Sequence, residues 1–530
     1  MNTARLLISA ALCAHISLGG GKQVWKAAAP PPASWQRDRL ADLASRRRAA
    51  AARIGEKGIL ILWAAEPRNY AGDTDWPYRQ ENDFFYLTGI SQAGCIFVLV
   101  PSGATIHEIL FLPPSNPAQE RWTGHLLTPA EGRAVSGIDQ IWDTRQFPEF
   151  LTTLFPATKA VLEALPAEPP SSRGSTAGPV APLPVNPKQE FARAIQLGAA
   201  GEAGLYVMSH GSDAEFRRER AFAGKLAAAD PGLTLEDPAP LLNQLRTIKS
   251  PREIELLEHA IDITREAFER VFAVTAPEVG ESEIQAQFEF TFLRRNAHWG
   301  YPCIVGSGVN ATTLHYETNR GTMHAGDLLL MDSGAEFDGY SADITRTIPV
   351  NARFSPEQAE IYRLVWAAQQ AGIAQAKPGH QAAGGDDTIL GAAVKVFKDG
   401  LLRLGLITDP KGSQYAIWFS HGISHGIGLN VHDPGARELA PGMVVTVEPG
   451  LYFRPDALDN LPKTPENQKF IAGVRPAFER YKGIGVRIED DVLVTAGEPR
   501  VLSAAIPSKL DDVEAAIVRL RKAVKTNPLP

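Results

Sequence analysis

Four acidic residues and one histidine stand beside short apolar or glycine-rich stretches in the second half of this 530-residue chain. Asp332 ends the apolar run 328–331, and Glu448 ends the apolar run 443–447. Strand-like runs that end in such side chains aim them at a fixed point. Four carboxylates and one imidazole form a hard, oxygen-rich donor set, which favours Mn, Co, Fe or Zn ions over a thiolate-type site. The predicted metal ligands are Asp332, Asp343, His425, Glu448 and Glu489.

Charge balance predicts two metal ions at this site rather than one. The four carboxylates carry a charge of −4, which two divalent cations neutralise, and a bridging hydroxide would leave the site at −1. A single ion would leave a large negative charge uncompensated in a partly buried place, which is costly. Two-metal sites typically hold their ions about 3.5–4 Å apart and generate a hydroxide nucleophile at neutral pH.

The segment between Asp332 and Asp343 suggests how the first two carboxylates meet. It contains Gly334 and the turn-like stretch 336–339. If a hairpin turns between residues 337 and 338, Asp332 and Asp343 lie directly opposite, with Cβ atoms about 4.5–5.5 Å apart. Two facing carboxylates repel unless a cation lies between them. The alternative is that each Asp is an ordinary turn residue.

Residues 245–500 resemble the catalytic domain of the pita-bread metallopeptidases, in the aminopeptidase P and prolidase branch. The resemblance rests on the ligand stretches and on four further stretches in the same order, at 244–251, 305–308, 314–316 and 331–334. It implies that Asp343 and Glu489 bridge two metals. Asp332 would complete one coordination sphere, and His425 with Glu448 would complete the other.

The resemblance also assigns roles to four residues that are not ligands. His421 and His432 would contact the substrate and shuttle protons, and His315 would lie beside the scissile bond. Arg487 would orient Glu489, because side chains two apart on a strand share a face. His421 and His425 have the spacing of an H-E-x-x-H zinc helix, but Gly422 replaces the required Glu, which argues against that motif.

The predicted fold is α+β, with an N-terminal creatinase-like α/β domain followed by a C-terminal pita-bread catalytic domain. A curved antiparallel sheet in the second domain would cradle the metals, with helices on its outer face. Residues 75–86 resemble the N-terminal domain of aminopeptidase P, which methionyl aminopeptidases lack. The predicted limits are a leader or signal peptide at 1–35, the N-terminal domain at 36–240 with a Pro-rich insertion at 166–187, the catalytic domain at 245–505, and a helical tail at 506–530.

Composition agrees with a well-packed enzyme and argues against other classes. Apolar content of 44% and charged content of 21% suit a globular protein, and a net charge of −7 provides no general basic surface for nucleic acid. Three cysteines are too few for a disulfide framework.

The basic start and the short apolar run 6–14 resemble a signal peptide, although the run is too short to span a membrane. Export to the periplasm or medium and a cytoplasmic location both stay open.

The resemblance implies a dimetal aminopeptidase that removes the N-terminal residue from peptides with Pro at position two. Its cofactors would be two divalent ions, with manganese as the first choice and cobalt or zinc as alternatives. A prolidase, which cuts only Xaa-Pro dipeptides, and a catalytically inactive peptide-binding protein of the same fold are the alternative functions.

Two positions in the first domain predict a homo-oligomer, either a dimer or a tetramer. Asp73 and Trp122 match places where the family's N-terminal domain meets a neighbouring active site, although both are also compatible with ordinary surface residues. The chain departs from the family by a shorter segment between 432 and 441 and by a polar insertion at 453–482. The insertion is expected to rim the active site or to contact another subunit, so fine specificity cannot be transferred from the family.

Overall fold

The computed structural model of the protein describes residues 25–526, apart from 104, 157, 160, 162–179, 210–215 and 231–232. Residues 1–24 of the predicted leader and 166–179 of the predicted insertion therefore lie outside the described residues. The chain divides into an amino-terminal unit, residues 31–252 with 434–436, and a carboxyl-terminal unit, residues 1–30, 253–433 and 437–530. The domain limit that the sequence placed between 240 and 245 falls within a helix, and the units divide at 252–253.

The amino-terminal unit combines a mixed sheet with short helices. Its strands are β1 (Gly58–Trp63), β2 (Asn69–Ala71), β3 (Thr74–Asp75), β4 (Ile96–Ser102), β5 (Thr105–Leu112), β6 (Gln140–Asp143), β7 (Gly204–Val207) and β8 (Thr234–Glu236). Its helices are α1 (Trp35–Ile54), α2 (Asn82–Thr88), α3 (Pro117–Thr123), α4 (Pro129–Ser136), α5 (Phe147–Leu154), α6 (Pro187–Glu190), α7 (Ala192–Ala199), α8 (Arg217–Ala229) and α9 (Ala239–Thr247).

Six of these strands form one sheet in the order β6-β5-β4-β1-β7-β8. The completely apolar strand β1 lies inside this sheet and is buried along its whole length. It pairs antiparallel with β4 and parallel with β7, so the sheet is mixed. Strands β2 and β3 form a separate exposed hairpin.

The carboxyl-terminal unit contains longer helices and several short strands. Its helices are α10 (Pro251–Val274), α11 (Glu281–Arg294), α12 (Pro356–Ile373), α13 (Ile389–Arg403), α14 (Pro465–Tyr481) and α15 (Leu510–Thr526). Its strands are β9 (His298–Trp299), β10 (Ile304–Ser307), β11 (Leu328–Asp332), β12 (Ala335–Phe337), β13 (Tyr340–Ser341), β14 (Thr345–Pro349), β15 (Val444–Val447), β16 (Gly450–Tyr452), β17 (Gly485–Arg487), β18 (Asp490–Leu493) and β19 (Arg500–Val501).

The strands of this unit pair antiparallel in short sheets, in the orders β10-β11-β14, β13-β12-β9, β15-β18-β19 and β16-β17. Helix α12 begins as its sequence predicts. The Ser355 side chain accepts from Gln358 N–H, the Gln358 side chain returns to Ser355, and Pro356 occupies the first turn. Such local signals place helix starts, whereas the sheets are closed by partners far apart in the sequence.

The polar insertion at 453–482 contains helix α14, whose apolar face is buried. Phe470, Val474, Phe478 and Tyr481 belong to the core of this unit, and the Phe478 ring stacks on Trp418 at 5.6 Å between ring centroids. The exposed face of α14 is polar, which explains why the insertion looks hydrophilic in the sequence. The insertion therefore forms a helix that packs on the hydrophobic core of the unit, and is not only a surface loop.

Residues 25–30, which we call the amino-terminal strap, lie along helix α10. The backbone N–H of Ala28 donates to Glu266 Oε2 at 2.9 Å, and that of Lys26 donates to Glu269 Oε2 at 2.9 Å. Arg265 Nη2 donates to the carbonyl oxygen of Lys26 at 2.7 Å. The Trp25 ring lies 4.0 Å from the guanidinium carbon of Arg270 and is almost completely buried.

Two further observations concern the cysteines and the hydrophobicity of the helices. Cys95 and Cys303 are buried free thiols, and burial raises the pKa of each to about 12. Among the residues that the structure describes, no helix combines the length and the apolar character needed to cross a lipid bilayer.

Candidate metal centre

The five predicted ligands line one cavity of about 380 Å³ in the carboxyl-terminal unit. Asp332 is the last residue of β11, and Asp343 lies just before β14. Glu448 directly follows β15, and Glu489 lies between β17 and β18. His425 lies on a glycine-rich segment whose backbone is bonded to Thr446 of β15. Separate strand ends thus deliver these side chains to one place.

The ligand atoms converge closely. Asp343, His425 and Glu489 each offer a ligand atom within 4.8 Å of the other two. His425 Nε2 is 3.4 Å from Asp343 Oδ2 and 3.3 Å from Glu448 Oε1. These distances are short enough for the side chains to share a small cation, and the set matches the oxygen-rich donors predicted from the sequence.

The register that the sequence suggested for the first two carboxylates is wrong. Asp332 pairs with Thr345, not with Asp343. The turn is centred on Asp338 and Gly339, which have φ angles of +49° and +83° and connect the paired residues Phe337 and Tyr340. Two central residues with positive φ suit a tight hairpin turn, and Asp-Gly is a preferred pair there. The turn lies one residue later than expected, so Asp343 becomes a diagonal neighbour of Asp332.

The Tyr301 hydroxyl joins these two carboxylates. Its oxygen lies 2.5 Å from Asp332 Oδ1 and 2.7 Å from Asp343 Oδ1. Burial, reinforced by the charges of Asp332 and Asp343, raises the pKa of Tyr301 well above its ordinary value. Tyr301 therefore keeps its proton and stabilises the acidic pair as a donor.

The electrostatics of the site favour bound positive charge. Burial, followed by the charges of Asp332 and Asp491, raises the pKa of Asp343 well above its usual range. Burial, followed by the charges of Asp343 and Glu448, does the same to the pKa of Glu489. Buried carboxylates this close together must bind protons or cations to lower their repulsion.

The predicted catalytic histidines lie on the walls of the same cavity. His421 Nε2 lies 2.9 Å from the Tyr452 hydroxyl, and its Nδ1 lies 2.6 Å from the carbonyl oxygen of Gly422. The ring of His432 lies 4.1 Å from that of His425, measured between centroids. Burial lowers the pKa of both His421 and His432, so both are neutral near pH 7. His315 and His432 are exposed, whereas His421 and His425 lie deeper.

The role predicted for Arg487 needs correction. Its Nη2 donates to Asp332 Oδ2 at 2.6 Å, and its Nε donates to Thr345 Oγ1 at 3.0 Å. It reaches Glu489 only through Thr345, whose hydroxyl donates to Glu489 Oε2 at 2.6 Å. Strand β17 ends at Arg487 and β18 belongs to another sheet, so the alternation of one continuous strand does not extend to Glu489.

The sequence analysis missed three residues of this network, Tyr301, Thr345 and Tyr452. Tyr452 accepts from Arg487 Nη1 at 2.9 Å and contacts His421, so it connects two predicted site residues. Its position offered a signal, because strand β16, which ends at Tyr452, begins two residues after the ligand-type residue Glu448. Thr345 could have been found only from the observed register opposite Asp332.

The two positions that suggested an oligomer lie in the amino-terminal unit. Asp73 lies at the exposed turn of the β2–β3 hairpin, and Trp122 in α3 is 74% exposed. Beside Asp73, the rings of Tyr70 and Trp76 meet edge to face at 4.5 Å and are themselves largely exposed. The unit thus presents exposed aromatic side chains at both positions.

Comparison with known proteins relates both units to characterised families. Residues 255–496 match metallopeptidase family M24, and residues 43–162 match the N-terminal domain of aminopeptidase P. An Xaa-Pro aminopeptidase of Escherichia coli is 31% identical over 490 residues, which span 90% of this chain and 97% of that protein.

Solved structures give the same result. The structure of aminopeptidase P from E. coli in a low-pH form matches with a TM-score of 0.73 and 29% identity, over 91% of this chain and 99% of that one. A zinc-substituted form of the E. coli enzyme in complex with product matches with a TM-score of 0.72 and 28% identity, over the same shares. The predicted α+β fold, with a creatinase-like first domain and a pita-bread second domain, is therefore confirmed.

Proposed function

The chain belongs to metallopeptidase family M24, in the aminopeptidase P branch, and we propose that it is a metal-dependent Xaa-Pro aminopeptidase. It would release the first residue of peptides whose second residue is proline. The observation that carries this proposal is the cavity that holds all five ligand-type side chains together with His315, His421, His432 and Arg487. An inactive protein of the same fold would not need to keep this complete set.

The side chains fit a pair of divalent metal ions. The cluster contains four carboxylates and one imidazole, and the raised pKa values of Asp343 and Glu489 indicate a strong need for positive charge. We propose that Asp343 and Glu489 hold both ions, that Asp332 holds one, and that His425 and Glu448 hold the other. Such ions polarise a carbonyl group and activate a water molecule when they are bound.

We infer manganese as the first choice among the possible ions. Carboxylate-rich sites suit Mn, and a single imidazole is compatible with Mn, Co or Zn. A zinc-substituted form of the related E. coli enzyme has been described, so the branch accepts more than one ion. Activity measured after reconstitution with each ion separately would decide the order of preference among Mn, Co and Zn.

The protein's own side chains provide the proton chemistry around the ions. Burial opposes ionisation of Glu448, but the hydrogen bond and charge of His425 outweigh it and lower the Glu448 pKa, so its side chain is an ionised carboxylate. Burial raises the pKa of Tyr452 to about 12, so its hydroxyl keeps its proton. Because Tyr452 accepts from Arg487, its own proton can be donated to His421 Nε2, which leaves Nδ1 of His421 as a donor.

The exposed histidines are placed to contact the peptide. His315 and His432 line the cavity and are the more exposed of its four histidines. We propose that the neutral His432 ring donates a hydrogen bond to the carbonyl oxygen as negative charge develops there, a contribution of about two to three orders of magnitude in rate. Proline suits such a site because its φ angle is fixed near −65° and its nitrogen carries no N–H that needs an acceptor.

The first test compares substrates and metals. The purified protein should cleave an Xaa-Pro-Xaa tripeptide, lose activity in a chelator, and recover it with Mn or Co. Acetylation of the peptide's amino group should nearly stop cleavage, because an aminopeptidase recognises the free amine. Full activity in protein shown to be metal-free by elemental analysis would contradict the metal proposal. Cleavage of Xaa-Pro dipeptides alone would replace this function with that of a prolidase.

We further propose that the protein is a homo-oligomer, with the surface around Asp73 and Trp122 at a neighbouring active site. Exposed aromatic side chains at both positions support this proposal, because large exposed rings commonly mark interaction surfaces. Analytical ultracentrifugation of the wild-type protein and of Trp122→Ala should show assembly in the first and weakened assembly or peptide affinity in the second. A fully active wild-type monomer would contradict it.

A further inference from the structure

The loop at 307–321, which we call the His315 loop, has both of its ends bound to one buried carboxylate. Glu281 lies in the first turn of α11 and is completely buried. It accepts from the backbone N–H of Ser307 at 2.7 Å and from the backbone N–H of Gly321 at 2.6 Å. It also accepts from Asn310 Nδ2 at 3.0 Å. A single side chain thus connects the first and last residues of the loop.

Gly321 can approach this carboxylate closely because it has no side chain. A Cβ atom at position 321 would lie 2.8 Å from the carboxylate carbon of Glu281 and 2.8 Å from Asn310 Nδ2. Only glycine leaves room for this approach, because the obstructing atoms belong to a fully bonded network. The backbone N–H of Glu281 also donates to the carbonyl oxygen of Gly321 at 2.9 Å, so the contact is made in both directions.

The network continues from Glu281 towards His315. Asn310 Nδ2 donates to the Tyr316 hydroxyl at 3.0 Å, and Tyr316 directly follows His315. Leu314 and Tyr316, on either side of His315, pack against a small cluster that contains Ile304 and Leu330. Burial, and after it the charge of Glu281, raises the pKa of Tyr316, which agrees with its closeness to this carboxylate.

The His315 ring depends on this loop for its position. It is exposed and lines the cavity, and within the described parts of the chain it makes no hydrogen bond or ion pair. The returning limb of the loop has an additional anchor in Asn319, which accepts from Val305 N–H at 2.9 Å and donates to the carbonyl oxygen of Cys303 at 2.7 Å. The backbone around His315 is therefore held from outside the cavity.

We propose that Glu281 is a positioning residue for the peptidase reaction, which sets the location of His315 by holding both ends of the His315 loop. This inference rests on the proposed function, in which His315 contacts the peptide beside the bond that is cleaved. Glu281 itself is neither a ligand nor a catalytic residue, because it does not line the cavity.

The substitution Glu281→Gln tests the proposal with little change of volume. The new amide group presents an N–H where the carboxylate now accepts from an N–H, so at least one of the three bonds is lost and two donors face each other. A displacement of about 1 Å in a catalytic group can cost about 100-fold in rate. We expect kcat/KM on an Xaa-Pro-Xaa peptide to fall at least tenfold, with about two metal ions per chain retained.

Glu283→Gln is the matched control. Glu283 lies on the same helical turn, is exposed, and its side chain accepts from Gly280 N–H at 2.9 Å at the helix start, away from the His315 loop contacts of Glu281. This variant should keep wild-type kcat/KM within about twofold. An equal loss of activity in both variants would mean that a disturbed helix start, rather than the His315 loop, is responsible, and would overturn the proposal.

A double-mutant cycle distinguishes positioning from general damage. In a His315→Ala background, Glu281→Gln should lower kcat/KM no further, because the group that Glu281 positions has already been removed. A purely structural role would lower activity by the same factor in both backgrounds. Multiplicative losses would therefore contradict the proposal even if each single variant is impaired.

Hydrogen exchange provides a measurement that does not depend on activity. Glu281→Gln should increase amide exchange in the His315 loop, while exchange in α12 stays unchanged. If the wild-type protein does not cleave Xaa-Pro peptides but amide exchange in the His315 loop still increases in the variant, the proposed function fails. The inference that Glu281 anchors the loop is then still supported. Unchanged exchange would overturn the anchoring whatever the activity. Should Glu281→Gln not fold, Asn310→Ala removes the bonds from Asn310 to Glu281 and to Tyr316 and should give the same pattern.

Discussion

Asp343 and Glu489 are the residues on which the chemistry of the site depends. Both are almost completely buried, and each lies near further carboxylates that raise its pKa. Burying this much negative charge would be very costly for a site without compensation. Tyr301 bonds Asp332 and Asp343, but its hydroxyl is neutral, and the one cation bonded directly to the cluster, among the described residues, is Arg487 at Asp332. The remaining charge is what two divalent cations would neutralise.

Variants of a ligand and of an exposed histidine should separate metal binding from catalysis. Asp343→Ala should lose metal, because one carboxylate would serve both ions. His432→Ala should retain about two metal ions per chain yet lose about two to four orders of magnitude in kcat. Elemental analysis of both purified variants provides the measurement. Loss of a metal ion from His432→Ala would show that this histidine is a ligand rather than a catalyst.

Protein stripped of metal should become less stable as the pH rises above about 6.5. Burial raises the pKa values of Asp343, Glu489 and Asp491, so their contribution to stability is present at low pH and is lost as the pH rises through those values. His421 and His432 act oppositely, because burial lowers the pKa of each, but only below the ordinary histidine value of 6.5.

Thermal unfolding of chelator-treated protein from about pH 6.5 to 9 measures this effect, and a falling Tm is expected. The same scan with added Mn should show a growing stabilisation, because metal binding requires deprotonated ligands. A Tm of the stripped protein that rises steadily over this range would contradict the direction of the pKa shifts.

At the scale of single elements, local signals in the sequence predicted where a helix begins and whether a segment is a helix or a strand. They did not predict how the strands pair. The capping pattern at Ser355 and the apolar run at 328–332 correspond to the start of α12 and to strand β11. The register was predicted one turn residue too early, although the Asp338-Gly339 pair, which is preferred at tight hairpin turns, was a signal for the observed register. The Arg487 partner was missed because the strand ends there and the chain enters another sheet.

The candidate ligands could be chosen from the sequence for a different reason. Each candidate ligand stands beside a short apolar or glycine-rich stretch, so residue type and spacing could be recognised without three-dimensional information. Tyr301, Thr345 and Tyr452 could not be recognised in the same way, since tyrosine and threonine are common residues in strands. Their role appears only when the strands are placed side by side.

The turn between β12 and β13 should depend strongly on its glycine. Gly339 has a φ angle of +83°, a conformation that costs a residue with a Cβ atom about 1–2 kcal/mol. Gly339→Ala should lower the free energy of unfolding by this amount, measured by denaturant titration. Gly497→Ala is the control, because Gly497 is exposed and has no positive φ. Equal stability of the two variants would contradict the turn geometry.

At the scale of the whole molecule, the described chain begins in the carboxyl-terminal unit at Trp25, passes into the amino-terminal unit and returns. The amino-terminal strap belongs to the carboxyl-terminal unit, although the amino-terminal unit follows it directly in the sequence. The strap's partners on α10 lie more than 230 residues away, at Asp262, Arg265, Glu266 and Glu269. Its Ala- and Pro-rich sequence carries no periodic pattern, so the leader assigned to 1–35 gave no indication of this contact.

The strap should stabilise the unit that carries the metal centre. Trp25 is buried against Arg270, and the loss of one large buried side chain typically costs about 2 kcal/mol. Trp25→Ala and deletion of residues 1–30 should both lower Tm while leaving the metal content unchanged, and the deletion should have the larger effect because it also removes the backbone bonds to Glu266 and Glu269. Lys26→Ala is the matched control, since the Lys26 side chain is exposed and its bonds are made by its backbone. A deleted chain that unfolds at the wild-type temperature would show that helix α10 does not need the strap.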